Sequence, residues 1–205
     1  MLSPENEAAP ISEEFIGSIA IVRFCRPSQR NPLSSEMLEA LANLVQRIKV
    51  NPSVRALIFT GTADVFASGA DIRELSTIDV EQAKGFSQTG QRLMQQIADL
   101  KPVTIAAING FCMGGALDFA LACDIRVACK SAIFAHPGAR LGIITGWGGT
   151  QRLPRLIGKA KALELFATAR RLSSEEALAA GLITQIGDPV LDAAIALANK
   201  SIATF

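Results

Sequence analysis

The sequence predicts an α/β fold in which a largely parallel sheet is covered by helices. Apolar segments of strand length alternate along the chain with segments of helix length, which is the order of elements in α/β proteins. The central strand segments are apolar throughout, as strands are when both faces of a parallel sheet are buried. With 205 residues, 49% of them hydrophobic, the chain is long enough for one core. We therefore expect one domain over residues 15–205, after a loose polar segment at 1–14.

Local signals define the elements of the first half. A turn at Gly17-Ser18 joins two strand-like segments into a hairpin. A serine cap followed by Glu36 starts an amphipathic helix. A buried strand follows, and then a second helix that Gly85 and Gly90 weaken. These segments are, in order, FIGSIAIVRFCRP, SSEMLEALANLVQRIKV, VRALIFTG and DVEQAKGFSQTGQRLMQQIADL.

The second half continues the alternation. It contains an apolar strand, a short buried helix and two short strands, and then a stretch that mixes turn and helix. Two helices follow, the second capped by Ser173 or Ser174, before a short strand and a last helix. These segments are, in order, KPVTIAAING, GALDFALACD, IRVAC, SAIFA, GWGGTQRLPRLIG, KAKALELFATAR, SSEEALAAGL, ITQIG and PVLDAAIALANKSIATF.

Charge and composition exclude several classes of function. The net charge is +1, from 20 basic and 19 acidic residues, so nothing favours binding to nucleic acid or to an anionic membrane. His136 is the only histidine and no two cysteines form a CxxC pair, so we expect no metal site and read the cysteines as buried reduced thiols. The acidic N-terminus does not resemble a secretory signal, and no uninterrupted apolar run reaches ~18 residues. We expect a cytoplasmic protein.

Two strand–helix junctions combine glycine with polar residues, and both are candidate ligand sites. They are FASGADIREL at 66–75 and INGFCMGGALDFALACDIRVA at 108–128. Ligands of α/β sheets bind outside the carboxyl ends of strands, where a helix N-terminus offers free N–H groups. Two such amides, those of Ser68 and Gly115, would form an oxyanion hole. From spacing alone, glycines that merely allow close packing remain the alternative.

Four stretches in this order resemble the crotonase superfamily, and in particular the enoyl-CoA hydratase/isomerase family. They are VFASGADIREL, VTIAAINGFCMGGALDFALACDIRVA, IFAHPGARLGIITGWGGTQRLPRLIGKAKALEL and SSEEALAAGLI, and the resemblance runs from about residue 15 to the end. It implies a spiral of ββα units, assembly as a homotrimer or a dimer of trimers, and an acyl-CoA thioester as substrate. Because CoA is part of the substrate, no separate cofactor is expected.

The resemblance also assigns roles to residues. The amides of Ser68 and Gly115 would hold the thioester oxygen, whose negative charge grows in an enolate-like intermediate. The first CoA-contacting loop corresponds to RPSQRNPLSSEML. The residues expected to bind substrate are Gln29, Arg30, Pro32, Ser68, Gly69, Ala70, Asp71, Gly114, Gly115, His136 and Gly138. Arg30 would meet phosphate charge, and an ordinary solvated arginine is the alternative.

The acid/base residues depart from the family pattern. Typical hydratases place two glutamates over the acyl chain; the matching positions hold Asp118 and Gly138. Loss of a general acid typically costs ~10²–10⁴-fold in rate, so standard hydration and isomerisation are both in question. His136 would face Asp118 if its strand directs it inward, or would pack elsewhere if it does not. An acid in a first helical turn is also favoured by the helix dipole alone, which is the alternative for Asp118.

The same residues bear on other functions. A dinucleotide site fails because G-x-G-x-x-G is not matched, and Ser68 lacks the setting of a hydrolase nucleophile. Thioester hydrolysis, decarboxylation or acyl-CoA binding with weak catalysis remain alternatives to hydration. Family members continue past ANKSIATF into helices that cap the pocket, so we expect an apolar surface here and association through it.

Overall fold

The computed structural model describes residues 9–204, which form helices and strands in the predicted alternation. The helices are α1 Ser35–Val50, α2 Ile72–Leu75, α3 Val80–Ala98, α4 Gly115–Ala122, α5 Gly149–Ile157, α6 Lys159–Thr168, α7 Ser174–Ala179 and α8 Val190–Thr204. The strands are β1 Ile11–Ile16, β2 Ile19–Phe24, β3 Pro32–Leu33, β4 Ala56–Thr60, β5 Val65–Ala67, β6 Gly69–Ala70, β7 Val103–Ile108, β8 Phe111–Met113, β9 Ile125–Ala128, β10 Ile133–Ala135, β11 Leu172–Ser173 and β12 Gln185–Ile186. Short 3-10 helices occupy Pro27–Gln29 and Pro137–Leu141.

The largest sheet has the strand order β1-β2-β4-β7-β9-β12. Only the β1–β2 hairpin is antiparallel, with Ile16 opposite Ile19, and every later pair is parallel. The central strand β4 is buried along its whole length, as its uninterrupted apolar sequence predicted. The predicted fold class, a largely parallel sheet covered by helices, is confirmed.

Two smaller sheets contain the strands whose ends surround the cavity described below. A four-stranded sheet has the order β11-β10-β8-β5, and a two-stranded parallel sheet pairs β3 with β6. Their strands are two or three residues long. Such strands are too short for an alternation of apolar and polar residues to develop, so β3, β5, β6, β8 and β11 were not predicted.

The N-terminal boundary lies earlier than the sequence indicated. The prediction placed a loose segment at 1–14, but β1 begins at Ile11 and pairs with β2 through Phe24. Ladder hydrogen bonds to a buried neighbouring strand hold this exposed segment, whose polar composition alone suggested a loop. The remainder of the predicted loose segment, residues 1–8, lies outside the described residues.

The helices begin at the polar residues that the sequence indicated. Ser34 accepts a hydrogen bond from the Met37 amide at the start of α1, and Ser173, not Ser174, caps α7 through the Glu176 amide. A capping box formed by Asp79 and Gln82 starts α3. This helix passes through both of its glycines without a break, because its apolar face packs on the core.

Candidate active site

An apolar cavity of about 320 Å³ lies where β6, β8 and β10 end. The segments that follow these strands form one wall, and α2, the first half of α3 and the loop 141–147 form the other. Small-molecule sites have this character, being mostly apolar with a few convergent polar groups. Six of the predicted site residues line the cavity: Ser68, Ala70, Gly114, Gly115, His136 and Gly138.

The Gly115 amide is a hydrogen-bond donor at the cavity wall. Gly115 is the first residue of α4, so no preceding helical turn supplies a carbonyl for its N–H. Gly114 has φ +55°, in the range that favours glycine, and its own N–H donates to the Ala135 carbonyl over 2.8 Å. This bond fixes the turn that presents the Gly115 N–H, together with the positive end of the α4 dipole.

The second donor is better assigned to Ala70 than to Ser68. The Ser68 N–H donates to the Asn31 carbonyl, 3.4 Å away, and therefore points towards β3. Pro32 is the β3 residue paired with Gly69. Because proline has no N–H to donate, the hydrogen bond of this parallel pair must come from the Gly69 N–H, which therefore also points towards β3. Successive amides of a strand point to opposite sides, so the Ala70 N–H is directed away from β3.

Contacts between the two junctions support this assignment. A Cβ atom added to Gly69 would lie 2.8 Å from the Gly115 nitrogen, and one added to Gly115 would lie 3.4 Å from the Ala70 nitrogen. The amides of Ala70 and Gly115 are therefore neighbours on one wall. The pairing of β6 with β3 determines which amide of the Ser68–Ala70 segment faces the cavity. The sequence contains no signal for this pairing, so the choice between these amides could not be predicted from it.

The other predicted substrate-binding residues lie outside the cavity lining. Gln29 and Arg30 are exposed, Arg30 with φ +66°, whereas Pro32 is buried in β3 beside Gly69. Asp71 caps α2 and pairs with the Arg73 guanidinium at 2.7 Å. Asp71 is thus used structurally, and the CoA contacts of the other residues remain predictions.

Asp118 lies in the first turn of α4, directly behind the cavity wall. Its side chain is fully buried and is not part of the lining. Its Oδ2 accepts hydrogen bonds from the Thr145 hydroxyl and from the Trp147 N–H, the latter over 3.3 Å. A Cβ atom on Gly149 would come within 2.0 Å of Asp118 Oδ1, so glycine at the start of α5 makes room for the carboxylate.

His136 faces Asp118 and the cavity at the same time. Its Nε2 lies 3.5 Å from Asp118 Oδ1, and both atoms are fully buried without a hydrogen bond to the described residues. The ring packs on Phe166 at a centroid distance of 5.0 Å. The inward orientation of His136 that the sequence left open is therefore found.

Burial shifts the two titratable groups in opposite directions. It raises the pKa of Asp118 to about 6, although the hydrogen bonds from Thr145 and Trp147, the nearby Gly149 N–H and the charge of Arg152 oppose this shift. It lowers the pKa of His136 to about 4, because desolvation disfavours the charged form of each group. Near neutral pH, Asp118 is mainly ionised and His136 is neutral.

Gly138, the position of the second family acid, is closed by the main chain. A Cβ atom there would lie 2.4 Å from the Ile143 carbonyl oxygen, and the Ile143 N–H donates to the Gly138 carbonyl over 3.0 Å. A side chain at 138 would therefore require the loop 139–143 to move. Among residues 9–204, no carboxylate side chain belongs to the cavity lining, and inserting one at 138 would not simply restore a second acid.

Aromatic side chains contribute to the cavity lining. Trp147 lines it together with Thr145 of the same loop, whereas the nearby Arg140 does not. Phe86 was missed; its ring lies 5.3 Å from the Trp147 ring. The sequence feature that could have revealed this contact is Gly90, one helical turn after Phe86 in α3. A Cβ atom on Gly90 would lie 2.2 Å from the indole ring of Trp147, so glycine there lets Trp147 pack against this face of the helix.

The chain belongs to the enoyl-CoA hydratase/isomerase family, whose pattern it matches over residues 14–204. The structure also resembles the crystal structure of an enoyl-CoA hydratase from Bacillus anthracis, with a TM-score of 0.91 and 36% identity over 94% of this chain and 76% of that one. The expected crotonase resemblance is thus confirmed for sequence and fold.

Two curated relatives are similar along most of the chain. A short-chain-enoyl-CoA hydratase of Clostridium acetobutylicum is 36% identical, over 90% of this chain and 72% of the relative. A crotonyl-CoA hydratase of Syntrophomonas wolfei subsp. wolfei is 37% identical, over 83% of this chain and 66% of the relative. The chain therefore spans about two thirds of the length of these relatives.

Two features are absent from the described part of the chain. Between residues 9 and 204, no helix combines the length and the apolar character that a membrane span requires. Within the same range, no group of three or more His, Cys, Asp or Glu side chains is arranged to hold a metal ion.

Proposed function

We propose that this protein hydrates the double bond of an enoyl-CoA thioester. The observation that carries the proposal is the pair of neighbouring amides, Ala70 and Gly115, on the wall of an apolar cavity that also contains a buried His–Asp pair. Attack of water at the β-carbon places negative charge on the thioester oxygen. Two preorganised N–H donors in a site that excludes water stabilise this charge, and the loss of one such donor typically costs ~10²–10³-fold in kcat.

We also propose a position for the CoA moiety along the same wall. The acyl group would occupy the cavity beside Gly115, whose backbone the Trp147 ring contacts, and the pantetheine would leave it past Ala70. The exposed side chains of Gln29 and Arg30, near the β3–β6 pair, would then meet the polar end of CoA. Guanidinium groups bind phosphate with charge-assisted hydrogen bonds. The reaction needs no cofactor, since CoA is part of the substrate.

We further propose that the protein works as a homo-oligomer, a homotrimer or a dimer of trimers, in the cytoplasm. Large apolar side chains are exposed around the cavity mouth, among them Ile144 at 66% exposure, and such surfaces mark contacts between subunits. All four cysteine thiols are free, in keeping with a reducing compartment.

The function is tested with crotonyl-CoA and with acetoacetyl-CoA. Hydration is followed as the loss of the absorbance of the conjugated enoyl thioester, with the 3-hydroxyacyl-CoA product identified by mass spectrometry. Acetoacetyl-CoA reports on the oxyanion hole without an acid or base, because N–H donors at the thioester oxygen favour its enolate, which absorbs at longer wavelength. Hydration together with the enolate band supports the proposal.

Each negative result has a distinct meaning. An enolate band without hydration of any chain length would leave an acyl-CoA site but overturn hydratase activity, and would favour thioester hydrolysis or decarboxylation. The absence of both binding and the band would overturn an acyl-CoA function altogether. Calorimetry with CoA and with acetyl-CoA separates these cases.

A further inference from the structure

We propose that His136 is the acid–base residue of this site and that Asp118 is its positioning residue, so that one His–Asp dyad replaces the two carboxylates of typical relatives. This inference rests on the proposed hydration and deepens it. The two residues meet because β10 ends at Ala135, parallel to β8, whose end leads into α4. His136 therefore stands beside Gly114, next to the Gly115 amide.

The burial of the two side chains decides which one touches substrate. His136 lines the cavity, whereas Asp118 is fully buried behind Thr145 and Trp147. Of the two ring nitrogens, Nε2 is the buried one without a partner. The other ring nitrogen, Nδ1, makes no hydrogen bond to the described residues and belongs to a side chain that lines the cavity, so in this dyad it is the nitrogen available to substrate.

The two atoms without partners complement each other. His136 Nε2 and Asp118 Oδ1 are 3.5 Å apart, about 0.5 Å longer than an ordinary N–H···O hydrogen bond. A proton on Nε2 would satisfy both atoms after a small rotation of the ring, whereas leaving a buried polar atom unpaired costs free energy. The proton on Nε2 leaves the lone pair of Nδ1 directed at the cavity, which is the tautomer that a general base requires.

One residue with this tautomer can carry both proton transfers of hydration. Nδ1 takes a proton from water while the water oxygen bonds to the β-carbon, and the π electrons move onto the thioester carbonyl as an enolate. Nδ1 then returns the proton to the α-carbon as the enolate collapses. The sum is the addition of one water across the double bond, and the amides of Ala70 and Gly115 hold the enolate oxygen between the two steps.

The surrounding charges are compatible with these roles. Arg152 is the charged group that favours ionised Asp118; burial, and after it the charge of Asp118, raises the pKa of the Cys112 thiol. His136 contacts the apolar ring of Phe166, and burial alone lowers its pKa. At neutral pH the carboxylate is thus available as an acceptor and the imidazole as a base.

Because His136 is the only histidine of the chain, its tautomer can be read directly. Ring nitrogen shifts of protein labelled with ¹⁵N-histidine and purified without a histidine tag are measured in the absence of ligand. We expect the Nε2–H tautomer. In Asp118→Asn, the Thr145 hydroxyl and the Trp147 N–H hold the amide oxygen, so its NH₂ group faces Nε2 and converts the ring to Nδ1–H. An Nδ1–H tautomer in the unsubstituted protein, or no change in Asp118→Asn, overturns the dyad.

Kinetics supply the second readout. We expect His136→Gln and Asp118→Asn each to lower kcat by ~10²–10⁴-fold, with the acyl-CoA dissociation constant changed less than about threefold. The acetoacetyl-CoA enolate band should persist in both. The matched control is Asp99→Asn, an exposed acid at the end of α3, which should leave kcat unchanged.

Failure of the dyad is distinguishable from failure of the proposed function. Hydration by His136→Gln at more than a third of the usual rate would refute the role of His136 while leaving hydratase activity intact. If the unsubstituted protein hydrates nothing, the catalytic role is refuted and the tautomer still decides whether the two residues interact. If His136→Gln does not fold, Asp118→Asn and the tautomer measurement decide the matter.

Discussion

Asp118 and His136 form a buried pair of titratable side chains whose pKa values are shifted in opposite directions. The pKa of Asp118 is raised from 3.8 to about 6, and that of His136 is lowered from 6.5 to about 4. Each pKa unit is worth 1.36 kcal/mol, so each group changes the free energy of unfolding by roughly 2–3 kcal/mol between pH 4 and 6.5. The stabilising contribution of Asp118 is present below pH 3.8 and is lost as pH rises through 6. That of His136 is present above pH 6.5 and is lost as pH falls through 4.

Substitution of either residue should therefore uncover the titration of the other. Relative to the unsubstituted protein, Asp118→Asn should gain about 2 kcal/mol of stability as pH rises from 4 to 6.5, because the loss due to Asp118 is removed. His136→Gln should lose a similar amount over the same range. Urea unfolding at pH 4, 5, 6 and 7 measures both differences.

Comparison between proteins removes the contribution of all other carboxylates, which titrate alike in each. Asp99→Asn, with its exposed side chain, serves as the control and should run parallel to the unsubstituted protein. Slopes of the same sign for Asp118→Asn and His136→Gln would contradict the opposite pKa shifts that burial produces.

At the scale of the element, α3 contains two glycines that the sequence could not tell apart. A Cβ atom on Gly85 would have no neighbour within 4 Å, whereas one on Gly90 would lie 2.2 Å from the Trp147 ring. Alanine is favoured over glycine inside a helix by roughly 0.5–1 kcal/mol. Overpacking a buried contact costs roughly 1–3 kcal/mol.

We expect Gly85→Ala to stabilise the protein by about 0.5–1 kcal/mol and Gly90→Ala to destabilise it by about 1–2 kcal/mol. The two variants are matched controls because they add the same methyl group to the same helix. Chemical denaturation gives both values. A stabilising Gly90→Ala would show that Trp147 does not pack against α3, and so would refute this wall of the cavity.

The elements that could be predicted are those with a local signal. A glycine turn predicted the β1–β2 hairpin, and a serine cap and helical spacing of apolar residues predicted α1 and α3. β5, β8 and β11 did not, because strands of two or three residues are defined by their partners rather than by their own sequence.

In the site, too, residues with a local sequence signal were predicted and contacts between distant elements were not. Gly115 and Asp118 were assigned through the motif that contains them, and both lie at the start of α4 as expected. The choice between Ser68 and Ala70 depends on the pairing of β6, and the contact of His136 with Asp118 joins elements from different parts of the chain. Such long-range geometry leaves no periodicity for a sequence to show.

At the scale of the whole molecule, the cavity mouth is rimmed by apolar side chains in contact with solvent. Ile72, Leu141, Ile143 and Ile144 are each at least half exposed, at 59%, 50%, 50% and 66%. All four also line the cavity. Soluble monomers rarely expose such contiguous apolar surface, and a net charge of +1 opposes association very little.

We therefore expect the protein to self-associate through this rim. Sedimentation velocity over a hundredfold range of concentration should show an oligomer, and the double substitution Ile72→Ser with Ile144→Ser should shift it towards monomer by removing two of the most exposed rim side chains. Val50→Ser is the matched control, since Val50 is 78% exposed at the end of α1 and does not line the cavity. A monodisperse monomer at every concentration would refute association. An equal shift with Val50→Ser would refute the rim as its site. Because Ile72 and Ile144 also line the cavity, the double variant should lose acyl-CoA affinity as well, so the oligomeric state is the measurement that decides.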